Sequence, residues 1–476
     1  MWSRGTRYFR VILETASDCA ANGGSMELKY LIFWAVFLGG IPVGIFLCTV
    51  FRSAIHWTAV LLVWATAVPE SAGINFFSRE FYRASTRGLE VSLVDLCALV
   101  MCAAIFTQPA RYKIRWIPPL TIPYGVYILI ALASWSLVGP AFGVPDGMGA
   151  PPYDRFEVGL YPLFEISKVI RGCFVYWVMV NYLQEKGAVR ALVVGFAVTA
   201  FYMALVSLTD RYLFGVHRVQ ATLGHANSLA TYMAMTGTVM FSFALGSSRW
   251  LISGLFTFLT GLAGGSVILT ISRGGLMALA LGLYAVWSAL YRRFFNIKNT
   301  VIVVLSLGAG LVVLGMASDT LRTRFVDEQD AGADLEYRRL YNEEGRLMAR
   351  DHLLGVGMGN FSAWSWNRYA ELVDPELPPG TPAHNIWYLT AGELGIPGLL
   401  ALIWIWARFY AITLPFLWGK GVDLLTVLAV AAVAATLVCH FQSLLQLGYR
   451  QTPMYFMIRV LMAVAVAAYL DQRKEA

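Results

Sequence analysis

Apolar runs of about 20 residues alternate with short polar stretches along most of the chain. A run of this length crosses about 30 Å of hydrocarbon as an α-helix, and a helix satisfies its own backbone hydrogen bonds in lipid. The pattern predicts an all-α integral membrane protein with about 12 transmembrane helices. We place these helices near 30–69, 91–107, 120–141, 162–183, 188–208, 226–246, 250–271, 275–291, 299–317, 386–416, 422–440 and 453–470. The first run is long enough to cross twice, and we expect an interruption near Gly39–Pro42.

Composition agrees with a lipid environment. Hydrophobic residues make up 58% of the 476 positions and charged residues 14%, whereas a soluble domain has about 25% charged residues. The six cysteines are scattered and have the spacing of neither a metal finger nor a disulfide framework. The net charge of +7 comes mostly from short loops and requires no nucleic-acid partner.

The distribution of lysine and arginine predicts the orientation. Basic residues cluster in alternate loops, which by the positive-inside rule lie in the cytoplasm. These loops are at 111–115, 186–190, 249, 292–298 and 473–474. The long polar segment 318–383 then lies outside. We therefore divide the chain into a cytoplasmic tail, a first transmembrane bundle, a large and mostly helical periplasmic loop, the last transmembrane helices and a second cytoplasmic tail, at 1–29, 30–317, 318–383, 384–470 and 471–476.

The middle of the polar segment, "DLEYRRLYNEEGRLMARDHLLG", has the pattern of an amphipathic helix. Arg339 and Arg346 are seven residues apart and share one face of it. Arginines on one face suit a phosphate or carboxylate ligand, which makes both residues candidate substrate contacts. A solvated face, with the arginines paired to Glu336 and Glu343, explains the same pattern. The following "GVGMGNF" lacks the GxGxxG spacing of a dinucleotide site and indicates a tight turn.

Three further ionisable residues stand at span ends that the topology puts on the outer side. Arg218 precedes the span starting near 226, Arg273 lies in a short "SRG" turn between two spans, and His384 begins "HNIWYLTAGELGIPG". An arginine at such a position faces a functional cavity or snorkels to the interface. Arginines can hold a diphosphate leaving group, and a histidine can accept a proton from an attacking hydroxyl. The outer loops contain no DxD pair or carboxylate–histidine cluster, so we expect no metal ion and no cofactor.

Four motifs in this order, "RVQATLGHANSLATYM", "SRGGLMAL", "GVGMGNF" and "HNIWYLTAGELGIPGLL", resemble the O-antigen ligase and polymerase superfamily of bacterial envelope glycosyltransferases. The resemblance covers mainly residues 210–400. It implies that His384, Arg273 and Arg218 are the catalytic residues. Asn227, Ser272 and Asn385 are expected to orient the reacting groups. His225 stands where the family often has an aromatic or small residue, and is either a further polar contact or an interfacial histidine.

The resemblance implies a metal-independent, inverting transfer of an O-antigen glycan from undecaprenyl diphosphate to a lipid A–core hydroxyl. The reaction would take place at the periplasmic face of the bacterial inner membrane. Three alternatives stay open: a polymerase that extends another lipid-linked repeat unit, a protein O-oligosaccharyltransferase, and a transporter of lipid-linked glycans. A transporter is expected to show repeated halves, and the sequence has no such internal repeat.

Overall fold

A computed structural model describes residues 24–68, 73–76, 88–138, 155–291, 293, 295–316 and 331–475. Most of these residues are in α-helices, and the two short strands Gly73–Asn75 (β1) and Glu90–Ser92 (β2) pair antiparallel. The predicted N-terminal tail and the beginning of the polar segment, residues 318–330, lie wholly or largely outside the described residues. The division into five parts stays a prediction.

The helices follow the apolar runs closely. In chain order they are α1 Gly24–Ala35, α2 Ile41–Val50, α3 Ala54–Ala65, α4 Leu93–Phe106, α5 Thr121–Val138, α6 Arg155–Tyr182, α7 Ala188–Leu208, α8 Ala226–Gly246, α9 Trp250–Leu269, α10 Arg273–Leu290, α11 Ile297–Met316, α12 Ala331–Asp351, α13 Phe361–Trp364, α14 Ala370–Val373, α15 Ile386–Thr413, α16 Pro415–Trp418, α17 Leu424–Ser443 and α18 Thr452–Glu475. Within the described residues, 8 helices are long and apolar enough to cross a membrane, and four shorter apolar helices accompany them. The chain is therefore an all-α, multi-pass membrane protein, and the number of 12 spans stays a prediction.

The first apolar run is interrupted at a different place from the one expected. Near Gly39–Pro42 the helical path continues, because α1 passes through a π-helical turn, Val36–Gly40, directly into α2. Pro42 lies in the first turn of α2, where a missing N–H is tolerated. The chain leaves the helix at Phe51, which is extended, and the short α3 follows.

Helix α8 forms the centre of the bundle and is almost completely buried. It packs against α9, α10 and α17. Small residues allow this close approach, as is usual between membrane helices. A Cβ at Gly282 of α10 would lie 2.1 Å from Thr238 Oγ1, and a Cβ at Gly237 would lie 3.1 Å from Ala263 Cβ. The start of α8 lies beside the start of α10, where a Cβ at Gly275 would be 2.5 Å from Ala230 Cβ. The end of α8, in contrast, lies beside the start of α17, where a Cβ at Gly246 would be 2.9 Å from Val427 Cγ1.

Helix α15 is kinked about a third of the way along its length, at Gly395. Gly395 has φ 66° and ψ −169°, and Pro397 follows in the next turn. The helix α12 of the polar segment lies on the half of α15 before this kink, where a Cβ at Gly345 would be 2.6 Å from the carbonyl oxygen of Tyr388. This contact places the polar segment over the beginning of α15.

A buried arginine of α18 is surrounded by aromatic rings. The guanidinium carbon of Arg459 lies 4.3 Å from the ring centroids of both Tyr124 and Tyr455, and 5.5 Å from that of Tyr449. Arg459 Nη2 also donates to the Tyr449 hydroxyl at 2.8 Å. Cation–π contacts are stronger when desolvated, so this arrangement stabilises the charge and anchors the connection before α18.

Candidate active site

The three helices that carry the sequence motifs begin with capping residues. His225 caps α8, Ser272 caps α10 and Asn385 caps α15, each by accepting a hydrogen bond from a backbone N–H of the first turn. The donor–acceptor distances are 3.2, 3.2 and 2.9 Å. Such caps satisfy backbone groups that the helix itself leaves unpaired. Three residues predicted as polar substrate contacts therefore have a structural role as well.

Arg218 connects the segment before α8 to the end of α9. Its Nη2 donates to Asn227 Oδ1 at 2.9 Å, and its Nε donates to the carbonyl oxygen of Thr270 at 3.3 Å. The side chain is half-buried. Because two separate donors are engaged, the planar guanidinium has a fixed orientation at the start of α8. Asn227, a predicted orienting residue, makes this contact directly.

The turn that contains Arg273 is tightly built. Ser272 is buried and Arg273 is exposed at the start of α10. Ile271, just before them, has φ 53°, a left-handed conformation that is an outlier for a β-branched residue. A Cβ at Gly274 would lie 3.1 Å from Gln442 Oε1, and one at Gly275 would lie 2.5 Å from Ala230 Cβ. The glycines thus let Arg273 emerge between α8 and α17.

His384 lies half-buried between the polar segment and the membrane bundle. Its ring centroid is 5.9 Å from that of Tyr341 on α12, at an interplanar angle of 30°. The Tyr341 hydroxyl donates to the carbonyl oxygen of Pro378 at 3.2 Å. On the other side, Nδ2 of the adjacent Asn385 donates to the carbonyl oxygen of Leu444 at 3.2 Å. Contacts on both sides therefore fix the position of His384.

The end of α17 and the residues that lead to α18, together residues 442–451 and here called the α17–α18 connection, join these parts. Its carbonyl at Leu444 binds Asn385, and Gln442 lies against Gly274. The side chain of Gln446 donates to the carbonyl oxygen of Asn227 at 3.3 Å and to Thr231 Oγ1 at 2.8 Å. The α17–α18 connection consequently brings the starts of α8, α10 and α15 to one site. Sequence reasoning missed this role, although glutamines between two apolar spans were a visible signal.

The glycine turn "GVGMGNF" interlocks with the kink of α15. The N–H of Val356 donates to the carbonyl of Gly392 at 3.0 Å, and that of Gly357 donates to the carbonyl of Glu393 at 2.9 Å. Gly355 has φ 72°, and a Cβ there would be 2.3 Å from the carbonyl carbon of Glu393. Only glycine tolerates both the conformation and the contact. The turn therefore supports the half-helix that begins beside His384.

A buried cluster of four charges holds the same kink. Arg450 Nη1 is 2.7 Å from Glu393 Oε2, and Arg450 Nη2 is 3.3 Å from Glu165 Oε2. Lys168 Nζ is 3.0 Å from Glu165 Oε2 and donates to the carbonyl oxygen of Arg450 at 3.0 Å. Glu165, Lys168, Glu393 and Arg450 are all nearly inaccessible to solvent. The cluster ties α6, α15 and the α17–α18 connection together.

Residues 256–403 match the family model described as O-antigen ligase. This match supports membership of the O-antigen ligase superfamily. This result confirms the resemblance found in the motifs, and it implies a glycosyl-transferring enzyme that acts on lipid-linked glycans. No curated protein matches the chain.

The region that matches the O-antigen ligase family covers less than half of the chain. It contains Arg273 and His384, whereas Arg218 and the α17–α18 connection lie outside it. The structure nevertheless brings these outer parts into contact with the matched region, through Thr270 and Asn385. The candidate site is thus larger than the segment that identifies the superfamily.

The two loop arginines selected from the sequence are in exposed ion pairs. Arg339 Nη2 is 2.6 Å from Glu336 Oε1, and Arg346 binds both carboxylate oxygens of Glu343. The hydrogen bond from Arg346 lowers the pKa of Glu343. These are the pairs that a solvated helix face would form, and their role as substrate contacts stays a prediction.

The arginine of α12 that reaches the candidate site is Arg338. Its Nη1 donates to the carbonyl oxygen of Leu445 at 2.8 Å. The pKa of His225 is lowered, first by desolvation of the imidazole and then by the charges of Arg218 and Arg338. His225 is consequently close enough to both arginines to be affected by their charges. Sequence reasoning missed Arg338 because the helical spacing grouped its neighbour Arg339 with the other arginines.

In the part of the chain that the structure describes, no three His, Cys, Asp or Glu side chains form a group that could hold a metal ion. The positive charge at the candidate site comes from arginines and from the N-termini of α8, α10 and α15. Each helix N-terminus is equivalent to about half an elementary charge. Metal independence of the reaction stays a prediction.

Proposed function

We propose that the protein transfers an O-antigen glycan from undecaprenyl diphosphate to a hydroxyl of lipid A–core, at the periplasmic face of the inner membrane. One observation supports this most strongly. His384, Arg218 and Arg273, which the motifs single out, lie at or beside the N-termini of α15, α8 and α10, and the α17–α18 connection contacts all three helix starts. Such a site combines a proton acceptor with positive charge suited to a diphosphate.

In this mechanism Arg218 and Arg273 bind the diphosphate of the donor lipid. Charge develops on the leaving diphosphate in the transition state, and fixed cationic donors stabilise it there. Arg218 is already oriented by Asn227 and Thr270, so little reorganisation is needed when the donor binds.

His384 acts as the general base. The acceptor O–H gives its proton to the imidazole while its oxygen forms a bond to the anomeric carbon of the glycan. The bond from that carbon to the diphosphate oxygen breaks, and the diphosphate leaves with the bonding electron pair. A single displacement of this kind inverts the anomeric configuration. The α12 helix packs on the start of α15 and against His384, and we expect it to limit the access of water, which would otherwise compete with the acceptor.

The direct test uses purified protein with a lipid-diphosphate-linked glycan and three separate acceptors: lipid A–core, a second lipid-linked repeat unit and an acceptor protein. Product on lipid A–core supports the ligase proposal. Product only on the second repeat unit would instead identify a polymerase, and product only on the protein an oligosaccharyltransferase. Movement of the donor across proteoliposomes without any new product would indicate a transporter.

Variants separate the proposed roles. His384→Ala should lower transfer about 10²- to 10⁴-fold, the usual cost of losing a general base, while the donor still binds. Arg273→Lys keeps the charge and loses the planar fork, and should also reduce turnover substantially. Arg218→Ala should weaken donor binding. Rates are normalised to folded protein, and a near-normal rate for His384→Ala would overturn its assignment as the base.

A further inference from the structure

Arg338 reaches the candidate site from the polar segment. Its Nη1 donates to the carbonyl oxygen of Leu445, and the Leu445 side chain packs 3.4 Å from the position of a Cβ on Gly274, next to Arg273. Arg338 and the glycine that follows Arg273 thus both lie against Leu445. Arg338 is only half-buried.

Arg218 lies at the start of α8, where it donates to Asn227 Oδ1. It bonds to the carbonyl of Thr270, three residues before Arg273. His225, at the exposed rim, is affected by the charges of both Arg218 and Arg338, since each lowers the pKa of this imidazole. Arg218 therefore contacts the start of α8, Arg338 contacts the α17–α18 connection, and Arg273 is adjacent to a glycine that lies against the same connection.

We propose that Arg338 is a third arginine of the diphosphate site, carried by the α12 helix, so that contact between α12 and the α17–α18 connection completes this site. The inference rests on the proposed function, and it adds a residue of the polar segment to the groups that bind the donor.

The chemistry of the guanidinium fits this role. It has five N–H donors in a plane, and this number and geometry suit several oxygen acceptors at once, phosphate oxygens among them. The bond to Leu445 orients that plane. Bonds between a guanidinium and a phosphate are charge-assisted and about twice as strong as neutral hydrogen bonds.

The position of Arg338 on its helix connects the donor site to the proton acceptor. Tyr341, three residues further along α12, lies against His384. Residues three apart share one helix face. A single face of α12 therefore contacts both the proposed base and the proposed phosphate site, and displacement of α12 would disturb both.

The test measures the affinity for undecaprenyl diphosphate without glycan, for protein in lipid nanodiscs. Arg338→Gln should bind this lipid about 10- to 100-fold more weakly, the effect of losing one charge-assisted hydrogen bond. Arg368→Gln is the matched control, because Arg368 belongs to the same polar segment and is exposed, with its Nη2 4.0 Å from Asp351 Oδ2. It removes the same charge and should change the affinity less than about twofold.

Arg338→Lys keeps the positive charge and should have an intermediate affinity. If Arg338 only anchors α12, both variants would lower the melting temperature and leave the affinity per folded molecule unchanged, which would overturn the proposal. A second measurement is independent of activity and of lipid binding. Titration of His225 by NMR should show a higher pKa in Arg338→Gln than in the wild type, because a nearby positive charge is removed. An unchanged His225 pKa would place Arg338 outside the site.

A failure of the Arg338 proposal can be distinguished from a failure of the proposed function. If wild-type protein binds the lipid diphosphate, and Arg338→Gln does not, but no acceptor is glycosylated, the ligase proposal fails and the third arginine stands. If transfer to lipid A–core proceeds and Arg338→Gln binds the donor normally, the ligase proposal stands and the assignment of Arg338 to the diphosphate site is wrong.

Discussion

Replacement of Gly355 by alanine tests the interlock between the glycine turn and the kink of α15. The new Cβ would lie 2.3 Å from the carbonyl carbon and 2.4 Å from the carbonyl oxygen of Glu393, and 2.4 Å from the nitrogen of Leu394. These are backbone atoms, which cannot rotate away. The turn and the kink must therefore separate, and the half-helix that begins beside His384 loses its support.

The magnitude follows from three contributions. Alanine at φ 72° costs about 1–2 kcal/mol in conformation. Separation of the turn breaks the bonds from Val356 to Gly392 and from Gly357 to Glu393, each with a net value of about 0.5–1.5 kcal/mol. The free energy of unfolding should thus fall by about 2–5 kcal/mol, and transfer per folded molecule should also fall, although Gly355 is not expected to touch either substrate.

The assay is unfolding of the purified protein in mixed micelles with an increasing fraction of denaturing detergent. The control is Gly254→Ala, because Gly254 lies within α9 and a Cβ there meets nothing within 4 Å. This change should be neutral, or should stabilise by up to about 1 kcal/mol through helix propensity. Equal stability of the two variants would refute the interlock.

Three further predictions concern topology, metals and pH. A cysteine at exposed Glu371 should react with an impermeant thiol reagent from outside the inner membrane, and one at exposed Lys113 should not; the reverse result would put the site in the wrong compartment. Transfer should persist in excess chelator, and restoration by one divalent ion after loss would reveal an overlooked metal site. Burial raises the pKa of Glu344 to about 8. Between pH of about 4.5 and 8 the folded protein keeps a proton that the unfolded chain loses, so stability should fall as pH rises, by up to about 1.4 kcal/mol per unit. Glu344→Gln should flatten this dependence in unfolding experiments, and an unchanged slope would contradict it.

Much of the fold is readable from hydrophobicity, because lipid imposes one simple rule on long apolar runs. The span expected at 188–208 is α7, Ala188–Leu208, and the span expected at 226–246 is α8, Ala226–Gly246. Interruptions are harder to predict. A helix can pass glycine and proline residues through a π-helical turn, as it does at Gly39–Pro42, and can break inside an apolar run, as it does at Gly395.

The candidate site was only partly predictable for a related reason. Motif spacing located Arg273 and His384, since each stands next to a recognisable turn. Arg338 and Arg339 are adjacent on α12. Only their tertiary contacts show that Arg338 faces the membrane bundle and Arg339 does not. The partners of Arg450 lie far away along the chain, so no local pattern indicates that this arginine is buried.

The late position of the α17–α18 connection has a consequence for biogenesis. A ribosome releases the chain from its N-terminus onward, so residues 442–451 enter the membrane after every segment that they join. Until then Asn385 lacks its bond to Leu444, and Asn227 lacks its bond from Gln446. Partly synthesised chains should therefore be inserted but inactive. A partly synthesised enzyme would therefore not transfer the glycan of its lipid donor to water before the last helix is in place.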